Sequence, residues 1–221
     1  MKLSHYDIEN QIDFEENAFQ LLVVENSKEY YKLVSQLIGQ SNGEDGEFIL
    51  FEEKENIDIE KKVVVIHDFF TLDCNTKKIE NALNSLSLEI LNDGDFVKDL
   101  NEINNIYMKI NERVIQNLDV SVQYNDNLSV TDFIKLSHYK IVNDENILDR
   151  IASYVSVSQT IRGVKLVVLV GSFAIFSEEQ INELLKQFSY MQMSVLFVES
   201  YKKYDIEKIQ TRIIDSDLCF I

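Results

Sequence analysis

Proline is absent from this 221-residue chain, and glycine occurs only six times. That excludes a proline-rich linker and a low-complexity tail. Cysteine is scarce as well. Cys74 and Cys219 stand far apart, without the paired spacing of a zinc site, and imply a reduced compartment with buried thiols. Long apolar runs are missing too. The longest, Leu166 to Phe176, is too short to span a bilayer. The start, MKLSHYDIEN, has no apolar core of a signal peptide. A soluble cytoplasmic protein without membrane contact is expected. Positive charge is the other scarcity: 38 acids face 21 bases, a net of −17. The deficit is uneven, with 15 acids against 4 bases in residues 1–60 and 23 against 17 in residues 61–221. Such a chain repels nucleic acid at long range, so contact with DNA requires a local basic surface or a cation.

What is present is a 45% hydrophobic fraction, ordinary for a globular core, laid out in two styles. FQLLVV, Phe19–Val24, reads as a buried strand. Ser27 is the candidate cap of a helix carrying Tyr30, Tyr31, Val34, Leu37 and Ile38, and Gly39 is its expected end. FILF, Phe48–Phe51, is a short strand. KVVVI, Lys62–Ile66, is a continuous apolar strand of the kind covered on both faces. From Thr76 to about Ile115 the pattern is helical. Ile79, Leu83, Leu86 and Ile90 mark one helix. Phe96, Leu100, Ile103, Ile106, Tyr107, Ile110 and Val114 mark a longer one, with a turn at Asn92-Asp93-Gly94-Asp95 between them. Helices are also expected over Ser129–Tyr139 and from a cap at Asn143 or Asp144 through Ser158. A strand over Lys165–Val170 follows, then a helix from Ser177 with Glu179 and Gln180 close behind, a capping-box arrangement. VLFV, Val195–Val198, and the terminal DLCFI complete the strands. The reading is an α/β fold: a mostly parallel-sheet head over 1–72 and 163–221, and an inserted helical domain over 73–162.

Four features bear on chemistry. The strand, turn and helix around Gly171 have the outline of a phosphate-binding loop. The line GSFAIFSE, however, has neither the second glycine nor the lysine of GxxxxGK[ST], and Phe173, Ile175 and Phe176 fill the turn. The first strand also leads into a loop without glycine, although Lys28 follows it. His67-Asp68 stands at a strand end, where sites gather in α/β folds, and Asp68 equally suits the capping of a turn. With His5, His67 and His138 the only histidines and no GxSxG elbow, no triad or zinc cluster emerges. Asp119, Gln123, Asp126 and Asp132 offer oxygen donors of the kind calcium takes, without EF-hand spacing; a solvated loop accounts for them as well. Lys98, Lys109 and Arg113 fall near one face of the long helix, with Lys135 and Lys140 on the next segment and Arg150, Arg162 and Lys165 beyond. Such a stripe is either a solvated face or, summed around an oligomer, a nucleic-acid surface.

Three stretches together resemble the type II-A CRISPR-associated adaptation accessory family (Csn-two). KKVVVIHDFFTLDCNTKKI places Asp68, Asp73 and Asn75. TDFIKLSHYKIVNDENILDRI places Lys135 and Asn143. KLVVLVGSFAIFSEEQINELLKQFSYMQMSVLFVES ends on Glu199. The resemblance implies a degenerate P-loop-like fold without a nucleotide site, hence no enzymatic activity. It implies ring-shaped homotetramers that thread and slide on double-stranded DNA ends without sequence preference, calcium held by acidic residues near the helical region, and a role in spacer acquisition for antiviral defence. The integrase complex and the effector nuclease are the implied partners. Asp119, Asp126 and Asp132, with Gln123, are the positions that best match the calcium residues. Lys135 is the best-matched DNA position, and Lys140, Lys109 and Arg113 follow from helix geometry. Two other readings stand beside it: a degenerate nucleotide hydrolase or phosphotransferase built on the Gly171 turn and Asp68, and a protein-docking module whose acidic surface meets basic partners.

Overall fold

A computed structural model describes residues 1–15, 18–53, 55–93 and 96–221, with the side chain of Asp93 left aside. The chain divides into two compact units, Met1–Cys74 with Asn143–Ile221, and Asn75–Val142.

The first unit is built on a five-stranded parallel sheet of β3 (Phe19–Val24), β6 (Val63–Ile66), β7 (Leu166–Val170), β8 (Ser194–Glu199) and β9 (Gln210–Ile214), in the order β6-β7-β8-β3-β9. Alternation along the strands divides the core in two. Leu21, Val23, Val167, Leu169, Val195 and Phe197 pack with α6 (Ile147–Arg162) and α8 (Glu178–Tyr190) through Ile151, Val155, Ile181, Leu184 and Phe188. Leu22, Val24, Val168, Val170, Leu196 and Val198 pack with Leu33 and Leu37 of α1 (Ser27–Ser41). That second face also carries Leu3, Ile12 and Leu50 from an antiparallel sheet of β1 (Lys2–Ser4), β2 (Ile12–Asp13), β4 (Ile49–Glu52) and β5 (Glu55–Ile57), in the order β2-β1-β4-β5. A short helix, α2 (Ile59–Lys62), leads into β6.

The second unit contains α3 (Lys77–Asp93), α4 (Val97–Gln116) and α5 (Val130–Ser137). Ile79 and Ile134 are its buried side chains among the described residues, and α3 packs against α5. Asn104 clips the irregular segment 117–129 to α4: its Oδ1 accepts from Leu128 N–H at 2.7 Å and its Nδ2 donates to Leu128 O at 3.2 Å.

Several boundaries differ from the sequence reading. Residues 143–162 belong with the sheet rather than with the helical unit, because Leu148, Ile151 and Val155 are core side chains there. Asn26, not Ser27, caps α1, and the helix passes Gly39 to end at Asn42. Asn146 caps α6 by accepting from Leu148 N–H at 2.8 Å, whereas Asn143 and Asp144 precede the cap. The terminal DLCFI makes a bridge, Ile214 to Phe220, and the last sheet strand is QTRII. The antiparallel sheet was not foreseen. Cys74 is buried as expected, and burial followed by the charges of Asp73 and Asp144 raises its thiol pKa; Cys219 is exposed, contrary to expectation. Of the turn expected over Asn92–Asp95, Asn92 and Asp93 belong to α3, and Gly94 and Asp95 lie outside the described residues. No helix among the described residues is long and apolar enough to cross a membrane.

Candidate functional site

The parallel sheet reverses its winding between β3 and β8. The chain runs from β3 outward to β6 but hops from β8 across β3 to β9. Ligands of open α/β sheets sit outside the carboxyl ends of the strands at such a point, and the register sets Val23 opposite Glu199 there.

Glu199 is only 2% exposed. Its Oε1 accepts from Ser172 Oγ and from Phe173 N–H, both at 2.9 Å. Gly171 makes this approach possible by turning the chain with φ of +70°, a conformation suited to glycine. Burial pushes the Glu199 carboxyl up to about 7, against the pull of the Phe173 N–H, the Ser172 hydroxyl and the Lys203 charge. Burial, and then the Glu199 charge, raises Tyr30. Lys203 donates to Phe173 O at 2.7 Å, and the Tyr204 hydroxyl donates to Phe176 O at 3.1 Å, so the segment after β8 fastens the turn after β7. The donors that could meet an anion at this turn therefore already serve an internal carboxylate.

The loop after β3 is satisfied in the same internal way. Asn26 Oδ1 accepts from Lys28 N–H at 3.1 Å and Glu29 N–H at 3.2 Å, while Asn26 Nδ2 donates to Ser216 O at 3.0 Å. Asp68, after β6, makes a turn of its own. Its carboxylate accepts from the Thr71 hydroxyl, and then from the Thr71 and Phe70 N–H groups, which holds its pKa low.

Asp73, Asn75 and Asn143 have structural partners within their own units. Asn143 accepts from Cys74 N–H at 2.9 Å and donates to Asp73 at 2.8 Å. Asn75 accepts from Ile141 N–H at 2.8 Å and donates to Ile141 O at 3.0 Å.

In the helical unit, Lys109 and Arg113 are exposed on α4, Lys135 is exposed on α5, and Lys140 is exposed just beyond it. No residue of α4 is buried. At about 100° per residue, the half-buried Leu100, Ile103 and Tyr107 form its inner face, and Ile106, Ile110 and Val114 form the flank beside it. Those flank residues are 58%, 55% and 51% exposed. Lys98, Lys109 and Arg113 lie along the other border of that apolar flank.

Asp119, Gln123 and Asp126 are exposed in the segment 117–129. Asp132 completes the capping box of α5: its Oδ2 accepts from Ser129 Oγ at 2.6 Å and Ser129 N–H at 3.1 Å, which lowers its pKa. The one group of three or more His, Cys, Asp or Glu donors within 4.8 Å of one another among the described residues is His5, Asp7 and Glu47, so the three aspartates do not gather in a single chain. The His5 group was not legible in the sequence, because Glu47 meets His5 and Asp7 only through the antiparallel sheet. There Asp7 N–H donates to Nδ1 of His5 at 3.1 Å, Nε2 stands 2.8 Å from Gln36 Oε1, and the Lys32 ammonium already bonds Asp7. Both ring nitrogens are engaged and a resident cation is in place.

The family model described as CRISPR-associated protein (Cas_Csn2) matches residues 40–218. Among solved structures, a bacterial Atm1-family ABC exporter with ATP bound is similar at a TM-score of 0.38 and 9% identity, over 88% of this chain and 31% of its own. The chain thus spans less than a third of that exporter's length. A putative ABC transporter ATP-binding protein from Pyrococcus furiosus is similar at a TM-score of 0.40 and 12% identity, over 96% of this chain and 97% of its own.

Proposed function

The chain belongs to the Cas_Csn2 family of CRISPR-associated proteins, and from that premise we propose that it is a non-enzymatic DNA-end binder that works as a homotetrameric ring during spacer acquisition. The observation that carries this reading is the outer surface of α4, where a solvent-facing apolar flank runs beside a basic stripe. Exposed apolar area of this kind is expected to be covered by another surface. Covering Ile106, Ile110 and Val114 with a second copy leaves Lys109 and Arg113 beside the joint, and symmetry repeats each positive charge around the ring. Lys135 and Lys140 add to the same set. Contacts from these side chains to phosphate carry no base information, so binding is sequence-independent and weakens with salt. A ring of this kind reconciles DNA binding with a net charge of −17, because the acids face outward and the bases inward.

The internal satisfaction of both loops at the switch point supports a head domain that hydrolyses no nucleotide. Glu199 holds the Gly171 turn and Asn26 holds the start of α1. Asp119, Gln123, Asp126 and Asp132 have the donor chemistry of a calcium site. As a single chain they do not fit one ion, since the aspartates stay apart and Asp132 caps a helix. Calcium therefore enters the proposal as a condition of assembly, tested by chelation. The integrase complex and effector nuclease are the proposed partners, and the cytoplasm the proposed compartment.

The test is a gel shift on linear, nicked-circular and closed-circular duplex DNA of one sequence, with calcium and then with chelator, beside light-scattering mass. A tetramer that shifts linear DNA alone is expected. A monomer with calcium present, or equal shifts of all three topologies, overturns the ring.

A further inference from the structure

The antiparallel sheet ends in β5, which pairs with β4 alone among the described residues and leaves Glu55 and Asn56 exposed at its outer edge. Beside it lies a cleft of about 320 Å³. Buried Phe48, Leu50 and Ile59 contribute apolar lining, and exposed Glu44, Asp58 and Glu60 contribute three carboxylates, with no lysine or arginine among the lining residues. Asp58 has a partner outside the cleft, Lys61 at 3.1 Å. The surrounding segment, residues 44–60, holds eight acids against one base.

We infer that the outer edge of β5 and this cleft form a docking site for an extended, lysine- and arginine-rich segment of a partner protein, added to the antiparallel sheet as a further strand. An edge strand supplies unpaired backbone groups that any extended chain can meet. The charge then selects among the candidates. A second copy of this chain, paired edge to edge, would set the carboxylates of one β5 against those of the other, and like charges facing across strands are destabilising. Duplex DNA is repelled by the same carboxylates. A strand with basic side chains at alternate positions can bond to the edge, set its cations against Glu44 and Glu55, and place intervening apolar residues over the cleft. β5 is only three residues long, so the contact is weak and salt-dependent. The site is built from residues of the first unit and the proposed DNA contacts from residues of the helical unit, so the inference holds or fails independently of the ring.

The test is fluorescence anisotropy of the full chain with a labelled nine-residue peptide of alternating lysine and valine. Its glutamate–valine counterpart and a lysine–valine version N-methylated at alternate amides serve as comparisons. Binding of the first peptide is expected, weakening with salt, with loss of both other peptides. The double variant Glu44→Lys/Glu55→Lys, at two exposed positions, lowers affinity about tenfold or more, as reversing two exposed charges implies, while the melting temperature stays near that of the parent. Equal binding of the N-methylated peptide overturns strand addition. An unchanged affinity in the folded double variant, or no binding of the lysine–valine peptide at low salt, overturns the site.

Discussion

Replacing Glu199 by glutamine tests the reading of the sheet's carboxyl edge most directly. The carboxyl is raised from 4.5 to about 7 because it is buried. A folded-state value above the unfolded one means that the folded chain holds the proton more tightly. The stabilisation is therefore fully present below about pH 4.5, falls as pH rises through 7, and levels off above that. At about 1.36 kcal/mol for each unit of difference, the span from 4.5 to about 7 corresponds to about 3 kcal/mol. Glutamine keeps the acceptor for Ser172 Oγ and Phe173 N–H and has no proton to lose. The stability of the variant relative to the parent should therefore rise by about 3 kcal/mol between pH 4.5 and pH 8. For a chain of this size that amounts to about 6–12 °C in melting temperature. The assay is thermal and urea unfolding of both proteins across that range. Other groups that titrate there contribute equally to both and cancel in the difference. Parallel stability profiles would refute the claim that Glu199 carries a desolvation cost, and with it the view that this carboxylate is the internal occupant of the Gly171 turn.

The remaining expectations are more local. Ile110→Glu, at a side chain 55% exposed, leaves the melting temperature of the single chain nearly unchanged but shifts sedimentation toward monomer. Lys109→Glu with Arg113→Glu abolishes the gel shift on linear DNA and leaves the mass by light scattering intact. Asn143→Ala removes the acceptor of Cys74 N–H and the donor to Asp73 and lowers unfolding stability by about 1–3 kcal/mol. Gly171→Ala costs about 1 kcal/mol through its positive φ, since the nearest atom to an added methyl is Tyr30 Oη at 4.0 Å, and thermal unfolding reads the difference.

Much of the fold was legible because local rules agree with it. The continuous apolar runs at 19–24, 63–66 and 166–170 became strands of the core, and the capping box expected behind Ser177 formed, with Gln180 rather than Glu179 as its partner. Strands β1, β2 and β5 were not legible, being two or three residues long and stabilised by pairing rather than by their own pattern. The cap of α6 was misplaced because Asn143, Asp144 and Asn146 are all good capping residues, and only packing chooses among them. Glu199 was visible as the end of an apolar strand, but nothing local told that its carboxylate turns inward to Phe173.

By itself the sequence determined the two kinds of segment, the missing glycines and lysine of a phosphate loop, the acidity of the first sixty residues and the family resemblance, because each is written in composition or short-range period. Tertiary structure alone decided that residues 143–162 join the sheet and that Asp132 caps a helix rather than gathering with Asp119 and Asp126. It also decided that a buried glutamate fills the place an anion would take. Those outcomes depend on which distant surfaces pack together and which polar groups lose water in doing so, and neither is a local property of the chain.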